Sequence, residues 1–594
     1  MDRTRTGPRA PAVRNLALCA LLLSALGGGV TDSAPRRTYL SYVVVAARPD
    51  AVGAATAAAA VRAAGGVTGP VHPRIGVVVA YSTDRRFAAR VRRTPGIGAA
   101  GATRTAPFPV PPVSPPGGPV PLPMAGAGKD GAPAPAPRAS APRARGGPPV
   151  DVPPIVPDPR EQPSWNLSMI GGDRSVDAAG PEALRRTVVA VLDSGVDDTH
   201  PDLRAAVDPA RSASCASGHA DPSPGAWRPL SFLPDNGHGT HIAGTIAATR
   251  DGHGITGIAT GARIAAVRLL DTAGQYYAEN IVCGFMWAAD HGARVINNSY
   301  FSDPWKYNCP GDRDQAAVTS AVARAVSYAQ RRGALVVASA GNDGQDLDAS
   351  RVDRRSPNDH AAGAKPPTRH LGADCIRLPG ELPGVVGVTA VDRSGALAAY
   401  SNYGAGRGWL AAPGGDPDAG PEGQIVSTWP GGRYAALSGT SMAAAHVSAA
   451  AAVEAADHPG ANADLLHTLL TRAAVPRDCP SAVGRGGGCP GDAYYGRGLL
   501  ALPAPETGTE SGTATETATE SGTVTGTESG AEAATETDTG TGTGTGTESD
   551  TTGTESGTAT GTESGTVTGA ETGTGAETGT GTRTETGTRT GTAG

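Results

Sequence analysis

Residues 187–203 read TVVAVLDSGVDDTHPDL, and this stretch decides the class of fold. Five apolar residues in succession, rich in valine and without polar alternation, describe a short strand buried on both faces. The run ends on a carboxylate, Asp193, and a Gly- and Asp-rich turn follows. Similar short apolar runs lie further along, at Arg263–Leu270, Arg294–Ser299, Ala334–Ala338 and Val385–Val391. Between them, helical periodicity occupies the stretches near Gly239–Thr249, Ala278–His291 and Asp314–Arg331. Strands alternating with helices predict an α/β fold with a mostly parallel central sheet and helices on both faces. In such sheets the chemistry collects where the strands end, so the polar residues that follow the apolar runs carry the weight.

Three of these stand out. Asp193 closes its strand, where a carboxylate can serve chemistry or simply cap the turn. His238, in NGHGTHIAGTIAA, sits among small residues at the start of a helical pattern. His241, three residues on, reads as structural, and no third residue at metal-ligand spacing accompanies the pair. Ser441, in LSGTSMAAAHVSAAAAV, opens an Ala-rich buried helix. A serine there is most often an N-cap, but a nucleophile gains from the same position, because the amino end of a helix stabilises developing negative charge.

Together these segments resemble the three signature segments of the subtilase family: DSGVDDTHPDL, HGTHIAGTIAA and SGTSMAAAHV, in the family order Asp, His, Ser. ASAGNDG, with Asn342, matches the segment that carries the family's oxyanion asparagine. The resemblance runs from about Trp165 to Leu502. It implies a serine endopeptidase in which His238 is the general base for Ser441, Asp193 orients the imidazole, and Asn342 donates to the oxyanion. In the substrate groove it implies Ser299, Tyr300, Phe301 and Gly274. Two bulky rings stand where the family carries small or aliphatic residues, so either the groove is reshaped or the rings turn into the core. Ala445 replaces a proline of the family pattern, which favours a regular helix. No cofactor is implied for the chemistry. A structural calcium ion is implied at Asp202 and at Asp251 in TRDGHGI, against the alternative of ordinary turn carboxylates.

The rest of the 594 residues divides by composition. Residues 1–34 read as an export signal, with Arg3, Arg5, Arg9 and Arg14 ahead of an apolar run of 11 residues, Leu16–Leu26, too short to span a bilayer. Residues 35–105 show a strand, helix, strand, helix, strand order and resemble the inhibitory propeptide of subtilases. Residues 106–157 are a Pro/Ala/Gly-rich linker and the expected place of processing. Residues 158–502 form the peptidase domain. Residues 503–594 are a Thr/Gly/Glu-rich tail, from Glu506 onward without an aromatic residue, Leu or Ile, which reads as disordered.

Charge is graded along the chain: 19 basic against 6 acidic residues over 1–157, 29 against 35 over 158–505, and 2 against 15 over 506–594. A basic leading part and an acidic main domain should attract one another. No basic patch interleaved with aromatics suggests nucleic acid as a partner. The expected partners are polypeptide substrates and the chain's own leading domain as an intramolecular inhibitor. A soluble or wall-associated extracellular monomer without a transmembrane anchor is expected. With Cys19 removed in the signal, six cysteines remain, and exported chains favour disulfides; only Cys479 with Cys489 is suggested by spacing. Two other readings stand beside the general protease: a processing enzyme for one particular precursor, and a catalytically silent surface protein on a protease fold.

Overall fold

The valine-rich run forms β7 of the fold, Val188–Asp193, with every residue buried. Its side chains alternate between two apolar clusters, Val189 and Val191 on one face and Val188, Ala190 and Leu192 on the other. A strand with two apolar faces needs cover on both sides, which helices supply.

The structure is a computed structural model that describes residues 38–109, 150–151, 164–172, 181–233, 236–360, 365–404, 406–479 and 492–502. The expected signal, the expected tail and nearly all of the expected linker lie outside the described residues. The strands are β1 (Thr38–Ala46), β2 (Val67–His72), β3 (Val77–Ser82), β4 (Ile97–Ala102), β5 (Phe108–Pro109), β6 (Val150–Asp151), β7, β8 (Ala213–Ser214), β9 (Arg263–Arg268), β10 (Val295–Asn298), β11 (Leu335–Ser339), β12 (Arg351–Asp353), β13 (Arg369–Leu371), β14 (Val385–Val391), β15 (Leu410–Pro413), β16 (Ile425–Trp429) and β17 (Arg433–Leu437). The helices are α1 (Ala51–Ala63), α2 (Phe87–Val91), α3 (Trp165–Ile170), α4 (Pro181–Arg186), α5 (His238–Ala247), α6 (Ala278–Asp290), α7 (Arg313–Arg331), α8 (Thr440–Asp457) and α9 (Ala463–Ala473).

Seven strands form the central sheet in the order β15-β14-β11-β10-β7-β9-β8, and every pair in it is parallel. The chain steps from β7 to β9 on one side and to β10 on the other, so the strand order reverses at β7 and a crevice opens at its carboxyl end. One face is covered by α5 and α8, which bury Ile242, Ile246, Met442 and Val447. The other is covered by α6 and α7, which bury Ile281, Phe285, Val318 and Val322. Each such side chain taken from water contributes about 1.5–3 kcal/mol.

Residues 38–109 form a separate small domain, an antiparallel sheet in the order β2-β3-β1-β4, with β5 paired to β1 and two helices. The sequence did not disclose β2, because Gly69 and Pro70 interrupt its apolar pattern. Val43, Val45, Ile75 and Val77 of this domain join the cluster under α6 and α7. Arg324 of α7 donates to the carbonyls of Ala46 at 2.7 Å and Ile75 at 2.9 Å. Arginines of the leading domain meet acids of the main one: Arg104 lies 2.9 Å from Glu279 and 3.3 Å from Asp271, and Arg74 pairs with Asp290.

Disulfides join Cys215 to Cys283 and Cys309 to Cys375, closing loops of 68 and 66 residues that spacing did not reveal. Cys479 is also disulfide-bonded. Its expected partner Cys489 lies outside the described residues.

Candidate active site

The end of β7 places Asp193, which is completely buried, at the crevice. Its Oδ1 accepts hydrogen bonds from Ser194 N at 2.6 Å and from His238 Nδ1 at 2.8 Å. His238 is the first residue of α5 and keeps about a quarter of its side chain exposed, 26 %. Gly239 lets the helix start come this close to the strand: a Cβ there would stand 2.5 Å from Gly195 O and 3.0 Å from Asp193 Cβ. The bond from Nδ1 to the carboxylate makes Nε2 the ring's proton-exchanging nitrogen. His241 has a different role: fully buried, it holds the hairpin β16–β17 through Nε2, which donates to Ile425 O and Ala435 O. Burial pushes its pKa down to about 3, so it stays neutral.

Ser441 is the second residue of the 18-residue helix α8 and is 8 % exposed. Its Oγ donates to Ser299 O at 3.2 Å, while Ser299 Oγ donates to Ser441 O at 3.2 Å. The end of β10 and the head of α8 are thereby tied together. Asn342 follows β11 and turns its Oδ1 to Thr440, accepting from the backbone N–H at 2.9 Å and from Oγ1 at 2.7 Å. This settles the carboxamide's orientation and leaves Nδ2 as the outward donor beside the helix head. Sequence reading missed Thr440 as the residue that fixes Asn342. The only signal was its place directly before Ser441.

Of the expected groove residues, Tyr300 turns inward. It is 5 % exposed, stacks on Tyr276 at 5.0 Å and 9°, and donates from its hydroxyl to Asn298 Oδ1 at 2.8 Å. Both hydroxyls are pushed well above the ordinary tyrosine range by burial and by the charge of Asp193. Phe301 is half-buried beneath two cations, with Arg377 5.0 Å and Lys306 5.9 Å from the ring centroid. Gly274 lies in a turn at φ 76°, its N–H donating to Asp271 O at 3.0 Å. Ala445 lies inside an unbroken α8, fully buried. A cleft of about 800 Å³ opens beside Asn342 and is lined by Lys306, Asp343, Gln345, Arg355 and Tyr400 among others.

Asp202 is 1 % exposed, and both its oxygens are engaged by donors: Tyr434 Oη at 3.0 and 3.1 Å, and Ile255 N at 3.1 Å. Burial raises its pKa. Asp251 accepts from His253 N at 3.2 Å. A calcium ion would draw on such carboxylates together with backbone carbonyl oxygens. Among the described residues no group of three or more His, Cys, Asp or Glu is placed to hold a metal ion.

Fold and site together define a doubly wound α/β protein that carries, at the carboxyl edge of its sheet, a carboxylate-oriented imidazole and a serine heading a buried helix. The family model of subtilases matches residues 185–488. The chain is 33% identical to subtilisin Savinase of Lederbergia lenta over 271 residues, 46% of this chain and 77% of that protein. It is 35% identical over 268 residues to the thermophilic serine proteinase of Bacillus sp. (strain AK1), covering 45% of this chain and 51% of that one, so it spans about half the length of this relative. Among solved structures, the epidermin leader peptide processing serine protease of Staphylococcus aureus shares the fold with a TM-score of 0.53 at 20% identity, over 78% of this chain and 96% of that one. The chain belongs to the subtilase family of serine proteases.

Proposed function

We propose that this chain is an exported serine endopeptidase, made as a zymogen, that hydrolyses peptide bonds through Asp193, His238 and Ser441. One observation carries this reading: the Asp193–His238 hydrogen bond of 2.8 Å stands at the strand end from which the sheet's crevice opens. Ser441 Oγ would leave Ser299 O, give its proton to His238 Nε2 and attack the scissile carbonyl carbon. Asp193 holds the tautomer with Nδ1 protonated and offsets the imidazolium charge. Asn342 Nδ2 and the backbone N–H of Ser441 would receive the oxyanion. As the intermediate collapses, the C–N bond breaks and the proton passes from Nε2 to the leaving amine. Water, deprotonated by the same imidazole, then releases the acyl group. Ser441→Ala should abolish turnover of peptide substrates with the circular dichroism spectrum retained. Undiminished cleavage by that variant overturns the assignment.

The leading domain supports the zymogen reading. Its exit segment runs against the main domain near the groove: Thr105 N and Ala106 N donate to Asp359 Oδ2 at 2.7 and 3.2 Å. Arg104 stacks on Tyr277 at 3.7 Å from the ring centroid. A segment anchored there would obstruct substrate until the linker is cut. Export and extracellular action are proposed from the leading residues; among the described residues no helix is long and apolar enough to cross a membrane.

A further inference from the structure

Arg377 is 6 % exposed. Nε and Nη1 are sealed from solvent without any partner among the described residues. Its backbone N–H donates to Glu381 Oε2 at 2.7 Å. A buried guanidinium with unmet donors is costly, and such a group persists where a ligand completes it.

Its surroundings say which ligand is lacking. The two nearby carboxylates already have other partners: Asp343 pairs with Lys306 and stands 3.9 Å from Arg355, and Glu381 stands 2.8 Å from Arg407. Lys306 itself is 3 % exposed. Both carboxylates feel the charge of Arg377 as one of several cations, and among the described residues Arg377 has no carboxylate of its own. The missing group is an anion, and a carboxylate fits the planar fork of an arginine best.

Its position says where that carboxylate comes from. A Cβ built on Gly341 would lie 3.2 Å from both Cζ and Nε of Arg377. Gly341 directly precedes Asn342, whose Nδ2 is the proposed oxyanion donor. On its other side Arg377 covers the ring of Phe301, two residues beyond Ser299. The side chain of the substrate residue that supplies the scissile carbonyl branches one bond from the carbonyl carbon, so it would lie beside Asn342 and its neighbour Gly341, against which Arg377 packs. We propose that Arg377 is the specificity-determining residue of the groove and selects polypeptides with aspartate or glutamate on the residue that supplies the scissile carbonyl. This rests on the proposed role of Ser441, and the test separates the two.

The full-length chain is incubated until aliquots withdrawn for fluorophosphonate labelling of Ser441 label to a constant extent. The unlabelled remainder is then assayed on matched fluorogenic peptides carrying Glu, Asp, Leu or Lys before the scissile bond. The Glu peptide should exceed the Leu peptide at least tenfold in kcat/KM. Arg377→Ser should lower that ratio at least tenfold, Arg377→Lys should keep part of it, and Arg377→Glu should shift preference toward the Lys peptide. Labelling with no acidic preference, or with a preference that survives Arg377→Ser, overturns the proposal and leaves Ser441 standing. Neither labelling nor cleavage overturns the role of Ser441, and the proposal with it.

Discussion

Asn342 illustrates how one side chain is prepared by its neighbour. Thr440 occupies its Oδ1 twice, so the amide cannot flip without losing both bonds. Asn342→Ala should lower kcat about 10²–10³-fold, or ~3–4 kcal/mol of transition-state stabilisation, with KM moved far less. Thr440→Val keeps the shape, loses the hydroxyl bond and should lower kcat by about tenfold. Steady-state kinetics on one peptide checks both, and a larger effect on KM than on kcat would count against an oxyanion role. Such a split is expected because the bond to the oxyanion forms only in the transition state.

Helix α8 carries the nucleophile and is buried along almost its whole length. It is locked to α3 by one polar contact: His446 Nδ1 donates to Met442 O at 2.7 Å, and Nε2 accepts from Asn166 Nδ2 at 2.8 Å. Asn166→Ala leaves a buried ring nitrogen unmet and should cost about 1–3 kcal/mol, read from chemical denaturation. Burial pushes the pKa of His446 down to about 4, that of His72 to about 4 and that of His241 to about 3. The unfolded chain binds these protons near pH 6.5, and the native chain does so only near pH 3–4. Stability is therefore complete above about pH 6.5 and is lost as pH falls through that window. The melting temperature should hold between pH 7 and 8 and drop steadily below 6.5. His446→Gln, which cannot titrate, should flatten part of the slope, and an unchanged slope would remove His446 from the explanation.

At the scale of the molecule, the docked leading domain is held by ion pairs as well as by apolar contact. Arg104 is 11 % exposed in its side chain and Glu279 only 2 %, so their pair is shielded from salt. Arg104→Ala leaves Glu279 and Asp271 without their cation and should loosen the domain. Fluorophosphonate labelling of the full-length chain should then rise several-fold faster than in the parent, and an unchanged time course would refute an inhibitory role for this contact.

Much of this was legible in the chain itself. Val188–Asp193 announced a parallel sheet because a strand covered on both faces has to be apolar on both faces, and residues at its end fall at the crevice. Asp193, His238 and Ser441 were marked by their place at strand ends and helix starts, and the structure brings Asp193 and His238 into contact. Strand β2 was hidden because Gly69 and Pro70 break its pattern, and two disulfides were hidden because pairing depends on distance in space. The orientation of Tyr300, the hydrogen bonds of Tyr434 to Asp202 and the burial of the Arg377 guanidinium all depend on residues far apart in sequence. The order of residues determines which groups can form strands, helices and caps, through contacts local to the chain. Only the packed structure decides which buried charges find a partner, because that is set by the low-dielectric interior in which they meet.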